Sequence, residues 1–367
     1  FVSADSNLVG GLIGFAKQNI VDSYCLADSV YGRDSLGGLA GIVGGYVAQS
    51  YAVVSNISGY NSVGGLAGLV SANVSKSYFF GDSVIGIYQI GGLVGVANGK
   101  VDSSYSVANV KGDDNVGGLI GSSRGNISNS YALGNVVGDV DHSSAGNDNL
   151  GGLVGYVYKG SILKSLAKGN VGGTTKLGGL VGRFDGTSIT QSYANGNVNG
   201  NYYGDPADEV GNFYIGGLVG YAKGAVSESY ASGIVKGMDE DPVYTGCLVG
   251  YVDGSLTIDD SYFDNEKCSL SIEGKKGSKT AGAAIANSSG KTTAEMQDEM
   301  TFVNWDFANT WNILDDSYPF LLFFANSFVN ADVTTESLKN MVYDGEAKTP
   351  AVSKVELGGV ALTENTD

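Results

Sequence analysis

The sequence predicts an all-β chain, a parallel right-handed β-helix or β-solenoid of about nine 27-residue coils. Three observations carry this reading. A GGLxG core recurs from Gly10, Gly37, Gly64, Gly91, Gly117, Gly151, Gly178 and Gly216, with an altered copy at Gly246 where Cys247 replaces the second glycine. A Ser-Tyr pair follows each core at a steady distance, its tyrosines being Tyr24, Tyr51, Tyr78, Tyr105, Tyr131, Tyr193, Tyr230 and Tyr262, with Leu166 standing in once. Between them lie Val/Ile/Tyr-rich segments whose glycines oppose helix and suit short strands joined by turns. A fixed period near 27 residues is the mark of a solenoid, and parallel crossovers are overwhelmingly right-handed.

Within a coil, three short strands are expected: the GGLxG segment, the Ile-x-x-Ser-Tyr-Ala segment, and a closing Asn-Val segment such as Asn135-Val136. Stacking sets Leu39, Leu66, Leu93, Leu119, Leu153, Leu180, Leu218 and Leu248 in one inward ladder, with Leu12 at its start. The tyrosines form a second ladder, packed in or against the coil rather than serving as an exposed stripe for sugars. The paired glycines mark a bend.

GGLVG followed by Ser-Tyr-Ala and a Gly-x-Val ending resembles the GLUG-motif repeat of bacterial surface proteins, including large adhesins and some immunoglobulin-degrading metallopeptidases. The resemblance covers residues 8 to 262. It implies an exported cell-surface protein whose repeats act as a stalk or adhesive segment, and it implies no enzymatic activity for the repeats.

Residues 1–263 are therefore read as the solenoid. Beyond it, 275–291 reads as a loop, and Thr292-Thr293-Ala294-Glu295 as a capping box opening a short helix near 293–300. Residues 264–329 form a capping segment whose Phe302, Trp305, Phe307, Trp311, Tyr318 and Phe320 cover the open core end. This stretch resembles the segment that commonly follows GLUG repeats. From 330 to 367, Met341-Val342-Tyr343-Asp344-Gly345 and Gly358-Gly359-Val360 look like the start of a bacterial immunoglobulin-like, mucin-binding-type module, cut short of the about 100 residues a sandwich needs. A repeat entered almost at once after Phe1 places targeting and an N-terminal cap upstream.

The 367 residues hold 58 glycines but four prolines, of which Pro206 and Pro242 fall in over-long spacers, so no coil loses a ladder donor. With 38 acids against 21 bases the formal charge is −17, which opposes nucleic-acid and anionic-membrane partners. No apolar run is long enough to span a membrane. Cys247 and Cys268 either pair, if the ninth coil folds back, or remain isolated buried thiols; Cys25 packs behind Tyr24.

Candidate binding residues lie in three spacers between the end of one coil and the next GGLxG. Asp139, Asp141 and Asp148 are oxygen ligands suited to calcium. Tyr202, Tyr203, Asp205, Asp208 and Glu209, then Asp239, Glu240 and Asp241, make an acidic, partly aromatic edge for a glycan. Insertions at one corner of a solenoid often form its binding face. Catalytic motifs are missing: a single histidine, His142, rules out HExxH, no zinc spacing of cysteines exists, and the glycine motifs precede no helix.

The expected function is a non-catalytic extracellular adhesin or stalk, at a bacterial surface or secreted. It needs no cofactor, calcium aside, and its partners are glycans or proteins of a host or neighbouring cell. A polysaccharide-active β-helix enzyme and a structural subunit of a surface fibre or layer are the alternatives.

Overall fold

The computed structural model describes residues 1–4, 7–138, 149–200, 213–237, 243–273, 284–325, 331–335, 352–357 and 360–361. It is 55% strand and 4% helix, a β-solenoid of about nine turns with about 27 residues per turn. The chain divides into two compact units, Phe1–Trp305 and Asp306–Asp367.

Each coil feeds four parallel sheets, one more than expected. In the third coil these are Asn61–Gly64 (sheet I), Ala67–Val70 (sheet II), Val74–Ser75 (sheet III) and Tyr78–Ile85 (sheet IV). The stacked sheets hold 9, 9, 10 and 15 strands. Register keeps like over like, so that Gly64 pairs with Gly37 below and Gly91 above.

The extra sheet has local causes. The GGLxG core is broken at its glycine pair into the end of a sheet I strand and the start of a sheet II strand. A β-carbon on Gly152 would stand 2.1 Å from the carbonyl oxygen of Gly179 and 2.8 Å from the β-carbon of Ala167, so the bend is tight against the next coil. Cys247 takes this position in the last core, where its N–H bonds to the Ser271 carbonyl instead of another glycine core.

The Ser-Tyr segment is likewise broken, by a corner at the serine. The residue before each serine is left-handed, with φ between 43° and 50° at all ten corners from Asp22 to Asn287. Every occupant is unbranched and polar, as that region requires. Each serine Oγ donates to the carbonyl two residues back, as Ser130 does to Ser128 at 2.7 Å, and from Ser50 onward it also accepts the N–H of the serine one coil earlier. Serine therefore recurs because its hydroxyl satisfies two backbone groups that the corner removes from the ladders. A second ladder runs through Asn109, Asn135, Asn170 and Asn197, each Oδ1 accepting the next coil's N–H at 2.9–3.1 Å.

Inward residues form one continuous core. In the sixth coil Leu150, Leu153, Val154, Val157, Ile162, Ala167 and Val171 are all at most 1% exposed. The leucine ladder is buried from Leu39 to Leu248, whereas Leu12 in the first coil is 56% exposed.

The tyrosines stack on the outside of sheet IV. Centroids along Tyr24, Tyr51, Tyr78, Tyr105 and Tyr131 are 4.7–5.3 Å apart with planes within 9°. Exposure falls from 57% at Tyr24 to 3% at Tyr131, and Tyr193, Tyr230 and Tyr262 are also buried. The rings pack against the coil as expected, with Tyr24 at the start of the column exposed and Tyr51, Tyr78 and Tyr105 half-buried.

The loop expected over 275–291 is corrected in its second half. Ala284–Ala286 pairs with Thr257–Asp259, and Ser289–Lys291 with Tyr262–Asp264, extending sheets III and IV by a partial tenth coil. Ser288 continues the serine ladder, its Oγ 2.9 Å from the Ser261 nitrogen. Cys247 and Cys268 are joined by a disulfide, with Cα atoms 5.7 Å apart, while Cys25 is a buried free thiol. The capping box at Thr292 and Glu295 is present, opening a one-turn helix Thr293–Met296, and Glu299–Thr301 is 3-10 helical. The chain then lays Phe302 edge-on against Tyr262 at 5.3 Å, and Trp305 Nε1 donates to the Asp260 carbonyl at 2.8 Å.

In the second unit Trp311–Asn312 pairs antiparallel with Phe320–Leu321. Ala331–Thr335, Val352–Leu357 and Val360–Ala361 form a three-stranded antiparallel sheet.

Candidate binding face

All eleven candidate residues lie outside the described residues: Asp139, Asp141 and Asp148; Tyr202, Tyr203, Asp205, Asp208 and Glu209; Asp239, Glu240 and Asp241. The flanking strands are described. Each spacer leaves after a sheet IV strand, at Val136–Gly138, Val198–Gly200 and Val235–Lys236. Each chain re-enters at a sheet I strand, at Asn149–Gly151, Phe213–Gly216 and Val243–Gly246. The three insertions thus share one corner of the coil.

On sheet II, the next sheet along the coil after the re-entry strand, the structure builds a face that sequence reasoning missed. Four outward positions of sheet II align in register, Tyr156, Arg183, Tyr221 and Tyr251. The Arg183 guanidinium lies 4.8 Å from the centroid of Tyr156 and 5.0 Å from that of Tyr221, held between two rings. Tyr251 stacks on Tyr221 at 5.5 Å, and Tyr214, from the re-entry strand of sheet I, meets Tyr251 at 4.6 Å.

Two carboxylates tie these rungs together. Asp185 accepts from Tyr156 Oη at 2.6 Å and from Arg183 Nη2 at 2.9 Å. Asp253 accepts from Tyr221 Oη. Lys223 sits between them, 3.8 Å from Asp185 and 3.4 Å from Asp253. Burial, and then the bond to a carboxylate, pushes the Tyr156 and Tyr221 phenols up, so both stay protonated donors. The Tyr221 bond holds the Asp253 carboxyl below its ordinary value. Cations and acids alternate here, so the face offers paired donors and acceptors rather than one sign of charge.

The signal was present in phase. The residue after the last glycine of each core reads Phe15, Ile42, Leu69, Val96 and Ser122 in the first five coils, then Tyr156, Arg183, Tyr221 and Tyr251. A change of chemistry at one fixed phase marks one face of the stack.

A second polar site sits at the start of the fifth coil's sheet I strand, Asp114–Gly117. Burial pushes the Asp114 carboxyl up to about 6, against a hydrogen bond from Asn149 at 3.3 Å that favours the anion, with neighbouring Asp113 raising it further. Among the described residues no group of three or more His, Cys, Asp or Glu is placed to hold a metal ion. No helix among them is long and apolar enough to cross a membrane.

The fold and this outward face define a β-solenoid repeat protein with a tyrosine–cation surface. No protein-family model, curated protein or solved structure matches the chain.

Proposed function

We propose that the chain is an extracellular stalk and adhesion segment that binds glycan or protein without turnover, through the face built on Tyr156, Arg183, Tyr221 and Tyr251. The observation that carries the reading is that four successive coils hold outward aromatic and charged groups locked in register, a preorganised surface whose ordering cost is met by the scaffold. Backbone and serine ladders running through every coil suit a stiff spacer. The Cys247–Cys268 disulfide fits an oxidising, exported setting, since cytosolic thiols are kept reduced. Likeness to GLUG repeats supports a bacterial surface location, and the three-stranded sheet after Ala331 is compatible with the start of an immunoglobulin-like module.

A polysaccharide-active enzyme is the second reading, favoured by the Asp114 carboxyl near 6, the range of a general acid. One experiment separates the two. The purified chain is applied to glycan and extracellular-matrix arrays with calcium and with chelator, and soluble products are assayed. Retention that falls on substituting Tyr251→Ser supports adhesion at this face. Soluble product assigns turnover, and no retention in any channel rejects adhesion. Loss on chelation assigns the contact to the acidic spacers.

A further inference from the structure

The outer face of sheet IV changes along the stack. In the eighth and ninth coils Tyr230 and Tyr262 are buried, and Phe302 and Trp305 lie against Tyr262. In the first four coils the same column is uncovered only in part, with Tyr24 57% exposed and Tyr51, Tyr78 and Tyr105 half-buried. Beside it runs an aliphatic and aromatic column in register, Leu26 64%, Val53 37% and Phe80 54% exposed, then Val107. Neither column holds a charge through four coils, although 16% of the chain is charged. This apolar two-column strip, bounded on the same strands by exposed Asp28 and Asp82, is the kind of surface that marks an interaction site.

We propose that this partly exposed half of sheet IV is a contact surface between two copies of the chain, packed face to face. The proposal does not depend on the adhesion reading. Continuity with the covered half is the first argument. There, the chain's own Phe302 lies against Tyr262 and Trp305 against both Tyr230 and Tyr262, so apolar side chains laid across these rungs are a kind of cover this sheet accepts.

Ring geometry is the second argument. Tyr51, Tyr78 and Tyr105 each stack on a ring at both faces with planes within 9°, so only their edges remain. That disfavours a sugar, which needs a ring face, and favours interdigitating apolar side chains. Periodicity is the third. Four rows repeat at the coil rise, about 4.8 Å, and another stack of the same repeat meets all four in register. A two-fold axis in the interface lays the tall tyrosine column of one copy over the shorter column of the other, large against small.

About eight residues a side fall well short of the 20–30 of a standard stable interface. Association is therefore weak in dilute solution and matters where copies are crowded side by side. Each copy carries −17 formal charge, so added salt strengthens it by screening repulsion.

Sedimentation velocity of the whole chain, from low micromolar to near-millimolar concentration and at low and high salt, tests this. The expected result is a sedimentation coefficient that rises with concentration, more steeply at high salt. Leu26→Ser/Phe80→Ser should sediment as a monomer throughout with an unchanged melting curve. Tyr158→Ser, an exposed ring on another face, should behave as the parent. If the double variant melts early, Val53→Arg supplies the same test at one exposed position. A parent that stays monomeric at the highest concentration and salt overturns the proposal. So does association that survives in the variants, which would place the contact elsewhere, such as the open first coil around Leu12.

Discussion

The backbone N–H of Ser104 donates to the Oγ of Ser130, 26 residues on, at 3.2 Å, and neither residue has measurable exposure. Ser130→Ala removes that acceptor and leaves a buried N–H unpaired, so a loss of about 1–3 kcal/mol is expected in denaturant unfolding. Ser23→Ala should cost much less, because the Ser23 hydroxyl lies in an exposed corner and serves only Val21. Equal losses at the two sites would reject the ladder as a source of stability.

Gly152→Ala places a methyl 2.1 Å from the Gly179 carbonyl oxygen. Coils six and seven must separate, at about 1–3 kcal/mol or more. At Gly172 the nearest atom to an added methyl is the Asn199 oxygen at 3.9 Å, so Gly172→Ala should stay within about 0.5 kcal/mol of the parent. Thermal melts of the pair check this.

Arg183 is planar and held between two rings while bonding Asp185 through Nε at 3.2 Å and Nη2 at 2.9 Å. Lysine keeps the charge but loses the fork and the stacking plane. Arg183→Lys should therefore lose about 1 kcal/mol. A variant as stable as the parent would mean charge alone matters here.

Asp114 gives a pH signature. Its folded value of about 6 lies above the ordinary 3.8, so between these limits the folded state binds more protons than the unfolded state and stability falls as pH rises through that window. Asp114→Asn should be more stable than the parent at neutral pH, by at most about 3 kcal/mol, and no better at pH about 3.5. Stability curves of both proteins against pH decide it. A gain that persists in acid would point to packing rather than charge.

The disulfide closes a 21-residue separation inside the ninth coil. Reduction should cost about 3 kcal/mol there. In a stack where each coil touches only its neighbours, amide exchange should accelerate around Val249–Val252 and stay unchanged near Ala67–Val70. Uniform acceleration would mean the solenoid opens as one unit.

Period, parallel stacking and the identity of the inward ladders were legible because each property is local and repeated nine times. A glycine pair every coil signals a bend, and a leucine at one fixed phase signals a core. The tenth serine corner was equally readable, since Ile285-Ala286-Asn287-Ser288 repeats the Ile-x-x-Ser pattern, but the missing tyrosine hid it. The four-sheet cross-section was not legible. It depends on the left-handed residue before each serine and on how closely Gly152 meets Gly179, which are facts about neighbouring coils.

Candidate sites divide the same way. The acidic spacers stood out by length and composition, and their common corner follows from coil phase alone. What only the tertiary structure decided is which outward residues act together. Tyr156, Arg183 and Asp185 are spread over 30 positions of sequence. They meet because stacking in register turns a separation of one period into van der Waals contact. Burial was decided there too: Tyr24 and Tyr230 have the same motif and phase, yet one is 57% exposed and the other 1%, because exposure depends on what the rest of the fold lays over a coil.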